Sequence, residues 1–292
     1  MSSIEKAINK LATNKDPAAQ PDRESGVSYL LDEASGSHGS RSSLPGSRHE
    51  HINLEVLAGL GFLTPTNSQN NALAEEFRNI KRPVLNNAFG KPAEIVANGN
   101  LVMVTSALPG EGKTFTSINL AMSIAKEMDK TVLLVDADVS MSGVTQRLGI
   151  DTGIGLSDVL RDPNIPLNEV LITTNIPKLT ILSAGQDRGY MTELLASENM
   201  QHLIADIANR YSDRIIIFDS PPLMVTSESK VLANQMGQIV VVIEADNTPQ
   251  QAVKDALQLL DSSKAIGLVL NKSSSSGTGY GYGYGYGYGK SR

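Results

Sequence analysis

The sequence predicts an α/β fold, a mainly parallel sheet with helices packed on both faces. Three observations carry that prediction. Short apolar runs of strand length recur at residues 101–106, 131–136, 179–183, 214–219, 238–244 and 265–271. Helical patterns separate most of them, at about 114–128, 198–211, 227–235 and 249–260. Several runs end in polar residues, notably Asp136, Asp219 and Asn271. Parallel strands bring their carboxyl ends to one edge of a sheet, and ligands of this fold class bind at that edge.

Upstream of the alternation the chain changes character. Ser2 and Glu5 stand at capping-box spacing and Ile4, Ile8 and Leu11 share one face, which predicts a short amphipathic helix within residues 1–14. Residues 15–50 are rich in Ser, Gly, Pro and Asp and predict a disordered linker, with His49 and the adjoining His51 solvated at its end. Residues 51–100 regain hydrophobicity and form an extension with one clear helix, beginning near Leu73 and stopped by Pro83. The alternating core occupies 101–272. In the last segment, 273–292, Tyr280, Tyr282, Tyr284, Tyr286 and Tyr288 alternate with glycine, which predicts a flexible tail. Taken alone, such a repeat fits a self-associating low-complexity segment as well as it fits a row of accessible hydroxyl groups.

Composition excludes several functions. The 292 residues include no cysteine, so neither a disulfide framework nor a thiolate metal site is available. A net charge of −6 supplies no electrostatic ground for binding nucleic acid. No run reaches the roughly 18 to 20 apolar residues of a membrane helix, and the first residues lack an apolar signal core, so the expectation is a soluble protein that meets a membrane only through a partner.

The first strong apolar run leads into Ala107-Leu108-Pro109-Gly110-Glu111-Gly112-Lys113-Thr114, followed by Phe115 and a helical pattern. Strand, glycine-rich turn and helix start together place backbone N–H groups and the positive helix end around phosphates. Lys113 then reaches the terminal phosphates, and Thr114 is a candidate Mg²⁺ ligand. Ala107 stands where the motif usually has its first glycine. The stretch Gly110, Glu111, Gly112, Lys113, Thr114 and Phe115 is therefore the predicted nucleotide-binding segment of a P-loop NTPase, a Rossmann-like fold. The next strand ends in Asp136-Ala137-Asp138, and a later one, Ile215-Ile216-Ile217-Phe218, ends in Asp219. One acidic strand end is as readily a turn or cap as a ligand. Three phosphate or metal elements in this order are a site.

Residues 101–271 resemble the bacterial tyrosine kinases, P-loop ATPases unrelated in fold to eukaryotic protein kinases. The family's Walker A motif resembles 106–114, its second aspartate-bearing motif resembles 132–138, and its Walker B motif resembles 215–222. Leu194-Leu195 with Glu193 and Ser197 matches another family segment, and Glu75 to Pro83 with Ile4-Glu5-Lys6-Ala7 is similar to the tyrosine autokinases of exopolysaccharide loci linked to exosortase systems.

The resemblance implies ATP and Mg²⁺ as cofactors, Lys113 and Thr114 at the phosphates and metal, and Asp138 and Asp219 supporting the metal. It assigns Asp136 to the tyrosine proton and Asn271 to the adenine, and it makes the five tail tyrosines phosphoacceptors. It further implies a ring-like homo-oligomer formed through Glu75, Arg78 and Lys81. Its expected partners are a separate membrane-embedded chain-length-determinant activator, which brings a cytoplasmic protein to the inner face of the plasma membrane, and a tyrosine phosphatase. Nucleic acid is not an expected partner. Two positions depart from the family: Ser140 replaces an arginine after Asp-x-Asp, and Lys81 ends a motif usually closed by arginine. Partition and division-site ATPases of the MinD/ParA type share the fold, but carry a lysine five positions before the invariant one, where this chain has Leu108. A non-catalytic regulator of polysaccharide assembly is the other alternative, and the retention of Lys113, Thr114, Asp136, Asp138 and Asp219 opposes it.

Overall fold

The computed structural model describes residues 48–66, 72–91, 95–186 and 189–273. The expected N-terminal helix, most of the linker and the tail tyrosines lie outside the described residues. Eight strands form one sheet among those described: β1 (Arg48–Glu50), β2 (Leu101–Ser106), β3 (Thr131–Asp136), β4 (Leu171–Thr174), β5 (Leu179–Leu182), β6 (Arg214–Asp219), β7 (Gln238–Glu244) and β8 (Ala265–Asn271). Their spatial order is β1-β4-β5-β3-β6-β2-β7-β8, and every pairing is parallel except β4 with β5.

The helices are α1 (Leu54–Gly59), α2 (Ala72–Phe89), α3 (Lys113–Ala125), α4 (Gly143–Leu148), α5 (Leu156–Arg161), α6 (Leu167–Val170), α7 (Met191–Leu195), α8 (Glu198–Arg210), α9 (Ser227–Gln235) and α10 (Gln250–Gln258). Side chains alternate across a strand, so each central strand feeds two cores. Val102 and Val104 pack with α1 to α4, while Leu101 and Met103 pack with α5 and α7 to α10. β2 and β6 are buried along their whole length, as expected of strands covered on both sides.

Two local expectations are corrected. The helix predicted to stop at Pro83 continues to Phe89. Proline removes one helical N–H. Ala74, Phe77, Lys81 and Val84 are buried on α2, and the Gln238 side chain on β7 donates to the Val84 carbonyl at 3.0 Å. Packing outweighs the missing bond. The linker predicted over 15–50 ends earlier, because Arg48–Glu50 pairs with β4, Arg48 opposite Ile172. His49 is accordingly tied to the sheet, its Nδ1 lying 3.1 Å from the Thr173 hydroxyl. The sheet is mainly parallel as expected, and only β4 runs against its neighbour β5, Leu171 opposite Leu182, which reverses the β1-β4 edge relative to the rest.

Candidate active site

The chain leaves β2 through a turn that only glycine accommodates easily. Gly110 and Gly112 have φ of 85° and 99°, in the left-handed region. A Cβ at Gly112 would also collide with the Asn271 side-chain amide. α3 starts at the next residue, so Lys113 and Thr114 belong to its first turn. The loop is braced from within. Glu111 is 2% exposed, and its carboxylate accepts from the Leu108 N–H at 2.6 Å, from the Glu244 N–H at 3.4 Å and from the Thr248 hydroxyl. Its predicted place in the nucleotide-binding segment is thus a matter of backbone, while the side chain shapes the loop. Phe115 likewise turns its ring away, packing 5.0 Å from Phe62 and 6.4 Å from Phe77 between ring centroids. Only its backbone N–H is left for a ligand.

Beside the loop, β3 and β6 end in register, with Asp136 directly opposite Asp219. The Lys113 ammonium pairs with Asp138 at 2.7 Å, with both side chains nearly buried. Asp219 accepts from the Ser117 hydroxyl at 2.9 Å, and the nearby Thr114 hydroxyl favours its charged form. Asp136 accepts from the Val144 N–H at the start of α4, at 3.0 Å. One oxygen of Asp136 and one of Asp219 nevertheless have no hydrogen-bond partner although both are buried. Burial, with Asp219 and Asp138 as neighbouring negative charges, pushes Asp136 up to about 8. Burial raises Asp219 to about 6, against the opposing pull of Lys113, Thr114 and Ser117.

Crowded carboxylates with orphaned oxygens suit a divalent cation. Among the described residues no three acidic or histidine side chains form a cage for a metal on their own. That fits Mg²⁺, which is ordinarily held by one or two protein oxygens together with nucleotide phosphates and water. Thr114, Asp138 and Asp219 are the residues here that could hold it, beside Asp136.

A family model described as an AAA domain matches residues 99–273. Tyrosine-protein kinase YwqD of Bacillus subtilis (strain 168) is 33% identical over 172 residues, covering 58% of this chain and 71% of that protein. The chain belongs to the bacterial tyrosine kinases. The kinase domain of the Escherichia coli tyrosine kinase ETK aligns with a TM-score of 0.65 at 27% identity, over 84% of this chain and 89% of that one. The succinoglycan biosynthesis transport protein ExoP of Rhizobium meliloti (strain 1021) is 32% identical over 206 residues, or 68% of this chain but 25% of that protein.

In this bacterial tyrosine kinase the three positions expected at a subunit interface separate. Glu75 and Arg78 form an ion pair with each other on the exposed side of α2. Lys81 does not join them. It is 7% exposed, pairs with Glu127 at 2.5 Å and donates to the Ser123 carbonyl at 3.0 Å, all within this chain. Within this chain the ammonium joins α2 to α3. Asn271 donates to the Glu111 carbonyl at 2.9 Å, so its amide nitrogen serves the loop. Sequence reasoning missed Ser117, Thr248 and Lys272. The first had a detectable signal, since it lies one helical turn beyond Lys113 and Thr114 on the same helix face.

Proposed function

We propose that this kinase transfers the γ-phosphoryl group of Mg·ATP to tyrosines of its own C-terminal repeat, on a neighbouring copy, and thereby controls exopolysaccharide synthesis, polymerisation or export. The observation that carries the chemistry is the pair of orphaned, buried oxygens on Asp136 and Asp219 beside Lys113. Lys113 leaves Asp138 for the phosphates, where it offsets charge on the β and γ groups. Thr114, Asp138 and Asp219 hold Mg²⁺ directly or through water. The metal, when bound, neutralises phosphate charge and orients the oxygens for in-line displacement. Asp136 accepts the phenolic proton as the tyrosine oxygen bonds to the γ-phosphorus and the bond to the β–γ bridging oxygen breaks, releasing ADP.

Tyr280, Tyr282, Tyr284, Tyr286 and Tyr288 are the acceptors, and Asn271 contacts the adenine with the amide face not used on the loop. Reach supports transfer between copies: nine to seventeen residues beyond Asn271 span roughly 30 to 60 Å when extended. Likeness to ExoP supports a polysaccharide setting. There the matching region is a quarter of the chain; the partner proposed for this one is a separate membrane-embedded activator that draws it to the inner membrane face. Among the described residues no helix is long and apolar enough to cross a membrane. A tyrosine phosphatase would reset the tail, and Glu75, Arg78 and Lys81 are the candidates for contact between subunits.

The test is to incubate purified protein with Mg·ATP and map phosphotyrosine by mass. In a second mixture, Lys113→Met protein with an intact tail meets active protein whose five tail tyrosines are Phe. Phosphate on the inactive protein's tail supports transfer between copies. Phosphate on wild type but none in the mixture shows transfer within one chain, and ATP hydrolysis without phosphotyrosine shows an ATPase switch.

A further inference from the structure

We infer that Lys272, with Asn271, is a positioning residue for the nucleotide phosphates, so that the root of the tyrosine tail is part of the phosphate-binding loop. The inference rests on the nucleotide site described above and concerns its regulation. Lys272 follows the last residue of β8 and lies eight residues before Tyr280. Its φ of 57° is left-handed. Its ammonium donates to the Gly110 carbonyl at 2.8 Å and pairs with Glu244 at 3.0 Å. The neighbouring Asn271 amide donates to the Glu111 carbonyl at 2.9 Å.

Two successive carbonyls of the loop are therefore drawn toward the end of β8. A peptide unit is planar and trans, so its N–H points opposite to its C=O. Holding the Gly110 and Glu111 carbonyls on the β8 side turns the Glu111 and Gly112 N–H groups the other way. Consecutive N–H groups facing one side make an anion-binding concavity, continuous here with the N–H groups of the first turn of α3. Glu111's carboxylate fixes the same segment from β7 and the Thr248 loop. Peptide orientation is thus set by residues that touch no phosphate themselves.

The consequence is reciprocal coupling. Whatever pulls Lys272 off Gly110, such as traction on the tail as its tyrosines enter another subunit, weakens nucleotide binding, and bound nucleotide holds the tail's root in place.

Calorimetric titration of the full chain with Mg·ADP tests this. Lys272→Ala is expected to weaken ADP about three- to tenfold, to raise KM for ATP with kcat little changed, and to leave nucleotide-free Tm nearly unmoved, because Lys272 is about half exposed. Lys272→Arg restores the affinity. The ratio between wild type and Ala persists from low salt to about 1 M, where the Debye length is only about 3 Å and distant attraction is screened. Unchanged ADP affinity in Lys272→Ala overturns the inference, and so does a difference that vanishes at high salt, which marks long-range charge instead of a held peptide. Failure of wild type itself to bind Mg·ADP would overturn the nucleotide site as a whole.

Discussion

The two ends of α3 carry the same device to opposite effect. At its first residue Lys113 pairs with Asp138 at 2.7 Å. Just past its last turn Glu127 pairs with Lys81 at 2.5 Å. Both ends follow the helix dipole, with carboxylates around the N-terminus and cations around the C-terminus. They differ in balance. Three aspartates crowd the N-terminal end, and two of their buried oxygens have no hydrogen-bond partner. At the other end Lys81 is shared between Glu127 and the Ser123 carbonyl, and Lys126 donates to the Thr64 carbonyl. Burial, with Lys81 and Arg78 nearby, lowers the Lys126 pKa. Arg78, Lys81, Ser123 and Lys126 line a cavity of about 360 Å³ together with Leu63, Pro65 and Ala74. Ion pairing alone therefore does not mark a site. Unmatched charge does: the N-terminal end keeps two buried acidic oxygens without partners, as the proposed cation and phosphates require, while at the C-terminal end the charges join α2 to α3.

Exchanging the two lysines for methionine sharpens this contrast most. Lys113→Met is expected to reduce autophosphorylation by about 10²- to 10³-fold or more, by loss of charge stabilisation in phosphoryl transfer, with circular dichroism showing a folded chain. Lys81→Met is expected to do the reverse. It should cost about 1–3 kcal/mol in urea unfolding, below the full value for a buried pair because Glu127 is about a third exposed, while activity per folded molecule is kept. Dissociation of an oligomer by Lys81→Met without loss of stability would instead support the subunit-interface role expected of that lysine. Thr114→Ala should weaken Mg·ADP about tenfold while changing metal-free ADP binding much less, as titrations with and without EDTA would reveal. Equal loss in both would indicate a damaged loop.

The smallest effect is on stability without ligand. Asp136 holds its proton to about 8 in the folded chain and Asp219 to about 6, against 3.8 for an ordinary aspartate. Between those values the unfolded chain binds fewer protons, so stability falls as pH rises from about 4 to about 8. Asp136→Asn should flatten this decline and raise the nucleotide-free Tm near pH 8 by about 2–4 °C for each kcal/mol relieved, although it abolishes phosphorylation. A steeper decline in the variant would contradict the assignment of the strain to Asp136.

What could be read in the sequence follows the same division. β2, β3, β6 and β7 announce themselves because strands buried on both faces need uninterrupted apolar residues. The phosphate loop is legible because its geometry demands glycine at 110 and 112. β1 has no such signature. Arg48, His49 and Glu50 are polar, and their strand exists only because β4 offers a partner across more than a hundred residues of chain. β4 itself is four residues long, too short for periodicity to register. Pro83 misleads because proline's local cost is visible in sequence while the packing of Phe77 and Val84 is not. Lys81 and Glu111 look like surface charge and loop filler. Their roles depend on Glu127, Thr248 and Glu244, which come from distant positions.

The position of β2 bears on how the protein is made. β2 lies between β6 and β7, Leu101 opposite Ile216 and Val102 opposite Gln238. A ribosome that has just released the phosphate loop must still make all of that intervening chain, which takes on the order of ten seconds at about 5–20 residues per second. Until then the loop has its glycines and its lysine but neither flanking strand, and the braces from Glu244, Thr248, Asn271 and Lys272 arrive later still. Nucleotide consequently cannot guide the early steps of folding. Its binding reports that synthesis has passed the final strand, and a nascent chain arrested before Gln238 is expected to be blind to ATP.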